Sequence, residues 1–339
     1  MHTDITVLDN LVAVNLSVTI WSARRKLTAE DFSGGVSTAS LPPEELASLG
    51  SKRICNPADL RVFGTLKSRA TTLLDRNGVR FLGGWALPET NVPAVQSELE
   101  VIATEFIKEK EAFLSRYDDA VRDWIQANPG WESIIANSLV SADYVRSRFG
   151  FTWQMFKVQT SESHSGQSVN TGLTEAVTSL GQTLFGEVAK SATEAWHKSF
   201  VGRQEVTRKA LSPLKTIYNK LNGLSFIEPR VAPVADLLST AFSAVGKKGH
   251  ITGANLVMLQ GLVSMLSDPE ALLSHAQSIL EGSSPDMILD SFKSGPIVYD
   301  VGQHVDEDPG EGSGNNQDVL PPKGKLLPAG PRLDSLGLW

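Results

Sequence analysis

Residues 78–88 read Gly-Val-Arg-Phe-Leu-Gly-Gly-Trp-Ala-Leu-Pro, and the fold turns on them. A helical pattern stops before the stretch, at Asn77, and a longer one starts after it, near Asn91. Gly83 and Gly84 stand together between Phe81 and Trp85, where the backbone needs unusual freedom or a close approach to another chain segment. The stretch is therefore expected to be a short strand or bulged crossing segment around which helices pack. Phe81 and Trp85 would be its core anchors, and Gly78 the left-handed stop of the helix before it. Its glycines lack a following Lys-Ser/Thr, so a phosphate-cradling loop is not expected.

Upstream, Leu11–Trp21 alternates with period two. Val12, Val14, Leu16, Val18 and Ile20 fall on one face, and Ala13, Asn15, Ser17, Thr19 and Trp21 on the other. That pattern predicts a half-buried strand. Asn56-Pro57 is a helix start, with Asn as cap and Pro in the first turn. Downstream, residues 92–128 form the longest helical pattern, roughly 50 Å at 1.5 Å per residue. Val95, Leu99, Ile102, Phe106, Phe113, Tyr117, Val121 and Trp124 give it a coiled-coil-like seam with one irregular step, between Phe113 and Tyr117. Two partners suit that seam: an intramolecular hairpin with the apolar stripe Leu173–Ala195, which is favoured, or a second copy of the chain.

Phe151–Gln159 reads as another strand, and three helices are expected at Val234–Val245, Ala254–Leu266 and Pro269–Leu280. The fold class is mainly α with a small β-sheet, carrying a long helical hairpin or coiled-coil-like arm. Residues 1–160 would form the main domain, 161–170 a polar linker, 171–282 a helical region and 283–339 a disordered acidic tail.

Charge sharpens that division. The net charge is −7, and residues 283–339 carry nine acidic against four basic side chains, so the body is nearly neutral. Such a body gives no general case for nucleic-acid binding. Cys55 is the single cysteine, which excludes an intrachain disulfide and fits a reducing cytoplasm. The N-terminus lacks a signal-peptide pattern, and the longest apolar run, residues 251–266, is interrupted by polar residues. A cytoplasmic location and no transmembrane segment are expected.

Catalytic signatures are missing. The six histidines are scattered, no nucleophile motif occurs, and the Glu and Asp residues between 109 and 123 alternate with Lys and Arg as on a solvated helix face. No catalytic, metal or cofactor residue is assigned, and the chain is not expected to be an enzyme. The marked local feature is basic: seven Lys and Arg against two Asp over residues 51–80. Lys52, Arg53, Arg61, Lys67, Arg69 and Arg76, with Arg24, Arg25 and Lys26, are the candidate contacts for an acidic partner or nucleic acid. A solvated helix stays open beside them, because Arg61, Lys67, Arg69 and Arg76 do not share one helical face. Leu336, Leu338 and Trp339, at the end of the acidic tail, have the form of a docking peptide; a chance chain end is the alternative.

Several stretches taken in order resemble a bacterial family known only as domain of unknown function 3150. They are Asn15–Asp31, with its Ile20-Trp21-Ser22; Leu49–Lys52; Asn56-Pro57; and Gly78–Pro88 with Gly78, Phe81, Gly83, Gly84 and Trp85. Phe113–Tyr117, Trp124, Pro129–Trp131 and Asp143–Phe149 continue the likeness, which is good over residues 5–160 and weaker beyond. The resemblance implies a mobile-element protein of a plasmid or phage-like region, encoded beside a MoxR/CobS-like AAA+ ATPase and a von Willebrand A/CobT-like protein. It thereby implies a non-enzymatic adaptor or scaffold as the leading function. A DNA-binding protein of plasmid or phage metabolism, resting on residues 51–80, is the second reading. A structural or membrane-active self-assembling protein, resting on the small-residue helix 172–198, is the third.

Overall fold

The computed structural model describes residues 7–32, 46–159 and 171–293, all within one compact unit, Met1–Pro296. Its first half contains strands β1 (Leu11–Thr19), β2 (Arg24–Lys26), β3 (Ser51–Arg53), β4 (Val79–Phe81), β5 (Gly84–Pro88) and β6 (Gly150–Phe156). β4, β5, β1 and β6 form an antiparallel sheet in that order, and β2 pairs with β3 as a separate ribbon. Gly78–Pro88 is thus a hairpin rather than one crossing strand. Phe81 opposes Gly84, which leaves a two-residue loop, Leu82-Gly83, with φ of 48° and 78°. Positive φ at both loop positions is what a type I′ turn requires, and the hand of that turn matches the twist of the flanking strands.

Gly78 is not the left-handed stop expected of it: its φ is −143°, in the extended region. Its lack of a side chain matters for another reason, since a Cβ there would lie 2.6 Å from the Ala86 carbonyl oxygen. Gly84 is crowded in the same way against the Val14 carbonyl of β1. Both glycines let strands approach where a methyl group would force them apart.

Cross-strand partners share a face, and the two faces of this sheet lead to two cores. Val14 pairs with Trp85, and these face one core with Leu87. Ala86, Val79 and Phe81 face the other. This double burial explains why every residue of β5 is buried. It also explains why β1 begins with four buried residues and only then alternates, with Asn15, Ser17 and Thr19 exposed. Trp21, placed by alternation with Asn15 and Thr19, lies instead in the core of Val14, because the strand has ended at Thr19.

The first core is closed by α1 (Arg61–Asn77), α2 (Val92–Ser115), α3 (Tyr117–Gln126), α4 (Glu132–Ala136) and α5 (Ala142–Ser147). Asn56 caps the chain entering α1 by accepting a 2.9 Å hydrogen bond from the Ala58 amide. The long helix expected over residues 92–128 is two helices, and its break at Arg116 (φ −113°) falls at the irregular seam step. The break lets Phe113 and Tyr117 turn inward onto Trp21, at ring-centroid distances of 6.2 and 5.7 Å. Val95, Leu99, Ile102 and Phe106 pack on α1 through Phe63, Leu66, Ala70 and Leu74. The expected hairpin with Leu173–Ala195 does not form, since that stripe belongs to the other core.

The second core is built by α6 (Thr171–Thr178), α7 (Leu180–Ala195), α8 (Leu211–Gly223), α9 (Val231–Ala244), α10 (Gly253–Leu266), α11 (Pro269–Leu280) and α12 (Pro285–Lys293). A short ribbon, β7 (Glu205–Val206) with β8 (Ile251–Thr252), ties the loop before α8 to the start of α10. Asp268 caps α11 through the Glu270 amide at 2.9 Å. α12 lies inside the stretch expected to be disordered; its Ile288 and Leu289 supply the apolar face that anchors it. Residues 161–170 and the C-terminal Leu336, Leu338 and Trp339 lie outside the described residues.

Candidate functional site

Two basic features come out of this packing. The first is the β2–β3 ribbon, where Arg24 stands opposite Arg53 and Arg25 opposite Lys52. Opposed residues share a face, so Arg24, Lys26 and Arg53 project from one side of the ribbon and Arg25 and Lys52 from the other. The second side is committed to the fold. Lys52 pairs with the partly buried Asp31 carboxylate, and the Arg25 guanidinium lies 5.4 Å from the Tyr144 ring centroid. Trp124 Nε1 donates to the Arg53 carbonyl at 3.1 Å and pins the ribbon to α3. Arg24 and Arg53 are exposed. Five cations from two separate stretches of sequence thus meet on one braced ribbon.

Asp31 shows what that bracing does to a titratable group. Burial acts to raise its pKa, but the Lys52 ammonium and the Thr28 amide outweigh it and hold the carboxyl below its usual value. Nearby, burial and the Asp59 carboxylate push the Cys55 thiol up to about 11, which makes it an inert core group.

The helix α1 cations disperse, as their spacing implies. Arg69 bridges Glu105 at 2.7 Å and Glu98 at 3.1 Å on α2, so it is a clamp between helices. Arg61 and Lys67 are exposed elsewhere on α1. Arg76 leads to the second feature, a cleft of about 960 Å³ between the end of α1, β4, α7 and the start of α8.

A network at the cleft joins the halves of the molecule. Arg80 pairs with Asp75 at 3.0 Å and stacks 4.0 Å from the Trp85 ring centroid, while Trp85 Nε1 donates to Asp75 at 2.8 Å. Glu187 of α7 accepts from the Arg80 amide at 2.9 Å and thereby covers the outer edge of β4. Lys220 of α8 donates to Glu187 at 2.5 Å and to the Asp75 carbonyl at 2.7 Å. Trp85 is therefore a core residue with a polar handle, Trp124 is a partly buried one, and Trp131 is 56% exposed.

Sequence reasoning missed this cleft because its cations come from four separate segments. The π-helical turn Trp196–Phe200 after α7 carries Lys198, and Arg203 follows close behind it. Among the described residues, no group of three or more His, Cys, Asp or Glu is placed to hold a metal ion. No single described helix is long and apolar enough to cross a membrane.

No curated protein and no solved structure matches this chain. A family described as "Protein of unknown function (DUF3150)" matches residues 8–268, a span that takes in the first core, most of the second, the ribbon and the cleft. The chain belongs to that DUF3150 family.

Proposed function

We propose that this protein is a non-enzymatic adaptor, encoded on a mobile element, that works in the cytoplasm with a MoxR-type AAA+ ATPase and a von Willebrand A-type protein. The observation that supports it best is the braced ribbon. A rigid edge that displays Arg24 and Arg53 while its far side is locked by Asp31, Tyr144 and Trp124 suits docking onto an acidic protein surface. Preorganised charges of this kind steer association and fix register more than they add affinity. The ATPase and von Willebrand A partners come from the family resemblance alone.

Co-purification of the three proteins, with and without ATP, tests the reading. A complex that Arg24→Glu/Arg53→Glu weakens is the expected outcome; no complex in either condition refutes it. The DNA-binding alternative draws on the same ribbon, since two exposed arginines side by side also suit phosphates. It predicts duplex binding that weakens steeply with salt, and absent or salt-insensitive binding removes it. A membrane-active assembly through residues 172–198 has less support, because Leu180, Leu184, Val188 and Ala192 are already spent in the core.

A further inference from the structure

The cleft has a surplus of positive charge that the fold does not use. Asp75 and Glu187 are neutralised by Arg80 and Lys220 in the network described above. Arg76, Lys190, Lys198, Arg203 and Lys209 also line the cleft, all exposed and none in an ion pair with a described residue. Only Glu194 and Glu205 remain to oppose them. Like charges brought together at the rim of one concavity repel each other, and a focused field of this kind favours a counter-ion.

We infer that this cleft binds a compact polyphosphate-bearing ligand. Three properties point to phosphate. The spare charge is about +3 within one cavity, which suits a ligand whose negative charges are concentrated in one group; carboxylates along an extended peptide are spread at about 3.3 Å per residue. Hydroxyl groups of Thr72, Ser191, Ser199, Thr207 and Ser212 line the same walls. Arginine forks, lysines and hydroxyls together are the donor set that phosphate oxygens accept from. The volume, about 960 Å³, falls in the range of small-molecule sites, and Val188, Val206 and Ile217 offer apolar wall to a non-phosphate moiety.

The network beneath braces the walls. Lys220, its side chain only 9% exposed, joins α8 to α7 and to the end of α1, so the helices that carry Arg76 and Lys190 are held in fixed relation. The site is independent of the partner docking proposed above, because none of its residues belongs to the β2–β3 ribbon.

The full chain is titrated with inorganic tripolyphosphate and, separately, with ATP, by calorimetry at low and at physiological salt. Binding is expected and should weaken with salt. Arg203→Glu and Lys209→Glu, both exposed and so compatible with folding, should each weaken it roughly tenfold, the scale of one charge-assisted hydrogen bond. Arg24→Glu on the ribbon should leave it unchanged. Equal binding of both probes assigns recognition to the phosphates alone, and tighter binding of ATP assigns a nucleotide. Absence of binding by both probes overturns the inference. So does binding that both cleft variants retain, or duplex DNA binding that these variants abolish without any tripolyphosphate binding.

Discussion

Replacing Gly84 by alanine should break the fold at its centre. A Cβ built at Gly84 overlaps the carbonyl oxygen of Val14 and lies 3.2 Å from that carbonyl carbon and 3.5 Å from Asn15 Cα. An ordinary contact needs roughly 3.5–4 Å, and here the obstacle is backbone of a paired strand, which has no rotamer to change. β5 must then move away from β1, along the ladder that runs from Leu11↔Pro88 to Val14↔Trp85. Overpacking of this kind costs about 1–3 kcal/mol, and each weakened ladder hydrogen bond adds about 1 kcal/mol. The expected loss is about 2–4 kcal/mol, or a fall in Tm of roughly 3–6 °C for a chain of this size. Gly84→Val, with a larger branched side chain, should prevent folding altogether.

Two other glycines serve as internal standards. Gly83 has φ of 78° and nothing within 4 Å of a built Cβ, so Gly83→Ala carries only backbone strain of about 1 kcal/mol. Gly64, inside α1 with the same open space, should gain about 0.5–1 kcal/mol as alanine. Urea unfolding of the three variants gives the order directly. A Gly84→Ala protein within 0.5 kcal/mol of the parent, or less damaged than Gly83→Ala, would refute the close-approach argument.

Four further outcomes are expected. Leu82, 57% exposed with φ of 48°, occupies a turn position that asparagine tolerates better, so Leu82→Asn should raise stability by about 0.5–1 kcal/mol in the same urea assay. Lys220→Met should cost about 2–3 kcal/mol by stranding Glu187 and the Asp75 carbonyl, and adding Glu187→Gln should recover part of that loss. Asp31 has a depressed folded-state pKa, so its contribution is complete above the unfolded value near 4 and disappears as pH falls through the folded one. The stability gap between parent and Asp31→Asn should accordingly be wider at pH 7 than under acid. Cys55, buried and with its pKa pushed up to about 11, should resist iodoacetamide at pH 8 until urea unfolds the chain.

What sequence alone determined here is local. Periodicity marked β1 and α1, and side-chain caps at Asn56 and Asp268 started helices where their hydrogen bonds now show them. The irregular step at Phe113–Tyr117 marked the place where the long helix breaks. Each of these signals depends on neighbours a few residues away, which a linear pattern records.

Tertiary structure decided the rest. The seam Val95–Phe106 packs on α1 and not on Leu173–Ala195, because an apolar stripe states that it must be covered and does not state by what. Gly78 and Gly84 announced a constraint in sequence, but only the pairing of β5 with β1 and β4 reveals that it is contact and not backbone hand. Arg24 met Arg53 through strand register, and Arg76 met Lys190 and Arg203 through the approach of α7 and α8 to α1. Pairing and packing join residues far apart in the chain, so the ribbon and the cleft exist only once both cores have closed on the sheet.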